Sequence, residues 1–228
     1  MIRKFIEREN QIFEVLKKFN ENGLEFILVG GYAISAFNHR FSVDADIVIK
    51  GEDLKKYLKL LKNDGFEQVQ RKKLESIYDG EFISFKKDKG LPVTIDILVD
   101  SLVCRQTGAS WSYSYLNEHA VIMNIEGTEK SVESHIPEKE LLMAIKLHSG
   151  RLTDVRDVVA LSEEIDIDKV KIHMNRGDKK DLSRILKQIK KILEKEEFED
   201  SFKGVFSEKE LPDDNIQKIQ ELISSSIR

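Results

Sequence analysis

The stretch LEFILVGGYAISAFNHRFSVDADIVIK, residues 24–50, decides how the rest of the chain is read. Phe26-Ile27-Leu28-Val29 is a short, β-branched apolar run of the kind that forms a buried strand. It stops at Gly30-Gly31, and Tyr32 to Asn38 has the small and apolar content of a short helix packed on that strand. Beyond Arg40 and Ser42 the chain becomes extended again, with Asp44 and Asp46 opening the apolar run Ile47-Val48-Ile49.

Paired glycines between a strand and a helix let the backbone approach a ligand closely. The helix that follows turns unpaired N–H groups toward that ligand, which suits a phosphate. Asp44 and Asp46, two apart on a strand, project from the same face. Neighbouring carboxylates repel unless a cation holds them together. Magnesium prefers oxygen ligands, commonly one or two carboxylates plus substrate phosphates. A phosphate cradle beside a carboxylate pair is a coherent unit for phosphoryl or nucleotidyl transfer.

Gly30-Gly31, twelve residues, then Asp44-Ala45-Asp46-Ile47 resembles the active-site signature of the DNA polymerase β-like nucleotidyltransferases. The fuller string GGYAISAFNHRFSVDAD is similar to the minimal branch of that superfamily, which includes abortive-infection and toxin-type enzymes. Ala45 departs from the larger apolar residue more usual there. A second strand-like run, Val93 to Asp100, is interrupted by Asp96, with Ile95 and Ile97 on the opposite face. A lone carboxylate in such a run is costly unless paired or metal-bound, and Asp96 resembles the family's third carboxylate. Asp100 is a weaker candidate, at the strand end where a turn residue is expected.

The resemblance implies an α/β (α+β) fold: a polymerase β-like core with a mixed sheet over residues 1–136, followed by a C-terminal helical domain over 137–228. It implies transfer of a nucleoside monophosphate from a nucleoside triphosphate to an acceptor hydroxyl, with release of pyrophosphate. Two magnesium ions, with manganese as the substitute, would lie among Asp44, Asp46 and Asp96; Gly30, Gly31, Arg40 and Ser42 would hold the triphosphate. The segment HIPEKELLMAIKLHSGRLTDVRDVVAL, residues 135–161, is similar to the helical motif that follows the core in this branch. There the resemblance gives Lys146 a nucleotide contact, supported by Arg151 and Asp157. Read without the family, Asp154 is a helix N-cap and Lys146 a lysine lying along Leu142. The implied partners are a triphosphate, an acceptor (tRNA, protein or small molecule) and, if the chain is a toxin, an antitoxin-like protein. Two other classes stay open: a catalytically silent nucleotide- or partner-binding module, and a metal-dependent phosphohydrolase.

Composition sets the limits. The 228 residues carry 34% charged and 40% apolar side chains with a net charge of −4, which argues against nucleic-acid binding through global charge but not through a local patch. No apolar run is long enough for a membrane helix. The acids near the N-terminus do not suit a secretory signal, and a single cysteine, Cys104, suits a cytoplasmic setting.

Around these motifs the pattern predicts a helix over 3–21 ending at Asn22-Gly23, and a second to about Leu61. Strands are expected at Phe66–Val69, before the basic run Arg71-Lys72-Lys73, and at Phe82–Phe85, before a charged turn at 86–90. Residues 106–110 read as a loop, with Trp111, Tyr113 and Tyr115 alternating beyond it as core or rim residues, and a hairpin follows around Gly127. Helices are expected over 138–148, 155–162, 167–175, 179–196 and 213–227. The lysines of 179–196 read as a solvated face, with nucleic-acid contact as the alternative. The histidines show no metal-ligand spacing, and Cys104 carries no assigned chemistry.

Overall fold

The computed structural model describes residues 2–74 and 80–227. The chain forms two compact units, residues 1–102 with 111–137 and residues 103–110 with 138–228. The fold is mixed α/β: a seven-stranded sheet with helices, followed by a run of helices.

The first unit begins with α1 (Ile2–Glu21), which buries Ile12, Phe13, Val15, Leu16 and Phe19. Then come β1 (Ile27–Val29), α2 (Gly30–Ser35), β2 (Asp44–Ile49), a 3-10 turn and α3 (Leu54–Asn63). Next are β3 (Glu67–Lys73), β4 (Glu81–Lys89) and β5 (Leu91–Val99). A ribbon of β6 (Ser101–Cys104) and β7 (Ala109–Ser112) precedes α4 (Tyr113–Glu118), β8 (Ala120–Glu126) and β9 (Ser131–Pro137). The sheet order is β3-β4-β5-β2-β1-β9-β8. The β2–β5 and β1–β9 pairs are parallel and the others antiparallel. The apolar runs 47–49 and 93–99 therefore occupy central strands, and on β5 one face, Val93, Ile95, Ile97 and Val99, is buried. Phe19 meets Phe26 and Tyr57 edge-on, at 5.8 and 4.9 Å between ring centres, and Phe13 meets Tyr32 at 5.5 Å. These rings tie α1, α2 and α3 into one core.

Two strands run longer than their apolar content predicts. The basic run 71–73 lies inside β3 and not after it, and the expected charged turn at 86–90 is mostly β4, with only Gly90 at the turn. The reason is position. β3 is an edge strand, where lysines and arginine are tolerated and discourage pairing with another chain. Tyr113 and Tyr115 are helical rather than extended, because the Ser112 side chain accepts the Tyr115 N–H and caps α4.

The second unit contains α5 (Lys139–Ser149), α6 (Leu152–Leu161), α7 (Ile167–Met174), α8 (Lys179–Leu193), α9 (Glu196–Phe206) and α10 (Asp213–Ser226). Asp166 and Asp178 cap α7 and α8 by accepting two backbone N–H groups each. The sequence pattern misses α9, which buries Phe198, Phe202 and Phe206 at four-residue spacing.

His148 is fully buried in this unit. Its Nε2 lies 2.9 Å from the Met174 carbonyl and donates there; in the neutral ring Nδ1, 2.8 Å from Thr107 Oγ1, accepts from the hydroxyl. Burial pushes the imidazole down to about 4, opposed by the Met174 carbonyl and reinforced by Arg176. The unfolded chain therefore takes up the proton first. The stabilisation is complete above about pH 6.5 and is lost as pH falls toward about 4, by up to about 3 kcal/mol. Urea unfolding at pH 7 and pH 4.5 is expected to show this decline in the wild type and a clearly smaller one in His148→Gln. Equal declines would contradict the assignment.

Candidate active site

The parallel register of β2 and β5 sets Asp46 opposite Asp96 and Asp44 opposite Thr94. Because side chains alternate across a pleated sheet, Asp44, Asp46 and Asp96 share one face. Ala45, Ile47, Ile95 and Ile97 point to the other and are completely buried. On the far side of β2, Val29 is the partner of Asp46, so the chain enters Gly30 beside that carboxylate. On the far side of β5, Ser84 is the partner of Asp96. One row across four strands thus carries Val29, Asp46, Asp96 and Ser84.

The glycine pair has a steric reason. Gly30 has φ +67°, and a Cβ there would lie 2.0 Å from Asp46 Oδ2. A Cβ on Gly31 would lie 2.3 Å from Ser42 Oγ and 3.1 Å from an Arg40 guanidinium nitrogen. The backbone at 30–31 is therefore the floor on which the Asp46 carboxylate, the Ser42 hydroxyl and Arg40 sit. Gly30→Ala is expected to cost about 1–2 kcal/mol in backbone strain and to displace the Asp46 carboxylate. A triphosphate titration should show binding reduced at least about tenfold, and unchanged affinity would separate Gly30 from the site.

The loop from Arg40 to Val43 is fastened from both sides. Ser35 Oγ donates to the Arg40 carbonyl at 2.7 Å, and Tyr32 Oη donates to the Ser42 carbonyl at 3.3 Å. Burial and nearby Glu9 push the Tyr32 phenol up, so it remains a donor. The Arg40 guanidinium donates to the Phe41 carbonyl at 3.3 Å, and Ser42 Oγ makes a long contact of 3.5 Å with Asp44 Oδ1.

Asp96 is half-buried. Burial pushes its carboxyl up, the Ser84 hydroxyl, donating at 2.6 Å, opposes this, and the charge of Asp44 pushes it up further. The donor set is all oxygen, and its charges are crowded at the edge of an apolar core. That is the environment a hard divalent cation relieves, so these residues fit magnesium or manganese. Ser84 was not singled out from the sequence, although it is the hydroxyl between Ile83 and Phe85 in an alternating strand. Asp100 does not join the row. It lies past the end of β5 with φ 63°, and its Oδ1 accepts the Gly51 N–H at 2.7 Å, a turn-locking role.

Lys146 belongs to the second unit. Its ammonium lies 3.0 Å from Asp154 Oδ1 and 2.8 Å from Asp157 Oδ2, with the lysine side chain only 8% exposed. It is not a lysine lying along an apolar surface with its charge in water. Asp154 is not the N-cap of α6, since Arg151 occupies that position and Asp154 sits in the first turn. Arg151 Nε and Ser149 Oγ also donate to Asp154 Oδ2, at 2.6 and 2.7 Å. Burial pushes the Asp154 carboxyl up, but Lys146, Arg151 and Ser149 outweigh it and hold it down to about 2.

No family model matches the chain, and no curated protein matches it in sequence. Among solved structures, it is similar to the lincomycin-bound lincosamide antibiotic adenylyltransferase LnuA, at 17% identity and a TM-score of 0.47 over 69% of this chain and 98% of that one. It is similar to ANT(2")-Ia in complex with adenylyl-2"-tobramycin at 14% identity and a TM-score of 0.49, covering 72% and 93% of the two chains. It is similar to a putative nucleotidyltransferase from H. pylori at 14% identity and a TM-score of 0.48, covering 97% and 93%. Likeness at this level is too distant to assign a residue. The site rests on its own register and contacts. Among the described residues, no helix is long and apolar enough to cross a membrane.

Proposed function

We propose that the chain is a divalent-metal-dependent nucleotidyltransferase, with a catalytic core over residues 1–136 and a helical domain over 137–228. It transfers a nucleoside monophosphate from a nucleoside triphosphate to an acceptor hydroxyl. The observation that carries this reading is the register pairing of Asp46 with Asp96, with Asp44 on the same face and the Gly30-Gly31 backbone against Asp46.

In this reading Asp44, Asp46 and Asp96 hold two magnesium ions, which when bound supply charge neutralisation and Lewis acidity at the phosphate. Gly30 and Gly31 keep the floor open, while Ser42 and Arg40 offer a hydroxyl and a guanidinium to phosphate oxygens. Asp96 orients the acceptor hydroxyl, and Ser84 fixes which Asp96 oxygen stays committed within the protein. The reading takes nothing from Lys146, whose ammonium already has two carboxylate partners. The acceptor is a hydroxyl of RNA, protein or a small molecule, and a cytoplasmic toxin with an antitoxin-like partner is one such enzyme.

The test incubates the protein with magnesium, each α-labelled triphosphate in turn, and cellular RNA, protein or hydroxyl-bearing small molecules. Label on an acceptor with matching pyrophosphate release is the expected result. Free monophosphate or orthophosphate without a labelled acceptor would favour the phosphohydrolase.

A further inference from the structure

The charge of this chain is segregated. The whole sequence is acidic by four charges, yet residues 179–195 hold seven lysines and arginines against two acids. Helix α8 sorts them geometrically. Ile185, Leu186, Ile189 and Leu193 are buried on one side. Lys180, Arg184, Lys187 and Lys191 follow one another at spacings of four, three and four residues, which stacks them in one stripe on the opposite side. All four are exposed. Arg184 reaches Asp181 at 3.1 Å, whereas among the described residues Lys180, Lys187 and Lys191 have no acid within ion-pair distance. The stripe extends about 16 Å along the helix.

We propose that this face of α8 is a binding surface for double-helical RNA, read through its backbone and not its sequence. Lys179 joins the four at the start of the helix, and Ser183 and Gln188 lie among them on this open face. This set contains no carboxylate that would repel a phosphate. It also contains no aromatic ring on which an unpaired base could stack, which disfavours a single strand. Ser183 and Gln188 can each donate and accept a hydrogen bond. That is what the 2′-hydroxyls lining the shallow minor groove of an A-form helix need, and DNA does not offer them. Lysines with no acidic partner nearby do not have to give up an ion pair to meet phosphates, and the counterions released on binding supply the driving force. The surface is independent of the proposed transfer chemistry, and its test reads binding alone.

The experiment measures anisotropy of a labelled RNA hairpin of arbitrary sequence against the full-length protein, from about 50 to 200 mM salt. The wild type is expected to bind in the micromolar range, with affinity falling steeply as salt rises. The triple variant R184Q/K187Q/K191Q keeps residues of similar helix propensity at exposed positions, and its circular dichroism should match the wild type. It is expected to bind at least about tenfold more weakly, with a log–log salt slope shallower by about two to three. A control, K55Q/K59Q/K62Q, removes the same charge from exposed positions on α3 and is expected to bind like the wild type. Equal weakening in the control, or unchanged binding in the α8 variant, would overturn the assignment. So would duplex DNA or anionic phospholipid vesicles binding the stripe as tightly as RNA does.

Discussion

Asp96→Ala is expected to bind a magnesium triphosphate about as tightly as the wild type, while nucleotidyl transfer slows by about a thousandfold or more. Asp44 and Asp46 both come from β2, beside the glycine floor, and can hold a nucleotide-bound cation between them. Asp96 comes from the next strand, half-buried, with one oxygen already accepting from Ser84. A group that acts mainly while the acceptor oxygen attacks contributes in the transition state rather than in the ground state, and its removal lowers turnover more than affinity. A thousandfold corresponds to about 4 kcal/mol. Single-turnover kinetics with an α-labelled triphosphate, paired with titration of the same complex, separates the two quantities. Loss of binding and turnover in equal measure would make Asp96 a ground-state ligand instead.

Lys146→Met is expected to destabilise the second unit strongly. The methionine nearly matches the lysine stem in volume but leaves Asp154 and Asp157, each about 1% exposed, without their shared cation. Breaking a buried pair by removing one partner costs about 3–5 kcal/mol. Arg151, which remains on Asp154, places the expectation near the lower end, a fall in Tm of about 10 °C for a chain of this size. Adding Asp157→Asn should recover part of the loss, because it removes one stranded charge. A calorimetric scan showing an unchanged Tm for Lys146→Met would contradict the buried pairing.

These two cases mark where the sequence was informative and where it stopped. Asp44, Asp46 and Asp96 were legible because a carboxylate breaking an apolar β run is conspicuous, and strand periodicity fixes its face. The register that joins Asp46 to Asp96 was not legible. Nearly fifty residues separate them, and nothing local specifies which strand neighbours which. The same holds for Ser84, whose significance lies only in being opposite Asp96. Lys146 shows the converse problem: a lysine on a predicted helix reads as exposed, and only the packing of α6 against α5 shows two aspartates closing around it. The basic residues of β3 look in sequence like the end of a strand, because edge position is a property of the whole sheet. Helix α9 was missed for a different reason. Its apolar residues are sparse, Phe198, Phe202, Val205 and Phe206 in eleven positions, and Gly204 interrupts them. Its signal lay in the acids Glu196, Glu197 and Glu199 of its first turn, favourable at a helix N-terminus.

One strand face is proposed to bind a metal–nucleotide pair, and Asp46 is the member that lies against Gly30. Calorimetric titration of a nucleoside triphosphate into wild type and Asp46→Asn, each with magnesium and with excess chelator, tests it directly. Asparagine keeps the shape above Gly30 and removes only the charge. Binding is predicted for the wild type with magnesium alone, with the variant at least about a hundredfold weaker and its circular dichroism unchanged. Affinity that is the same in both proteins, or indifferent to the chelator, would contradict it.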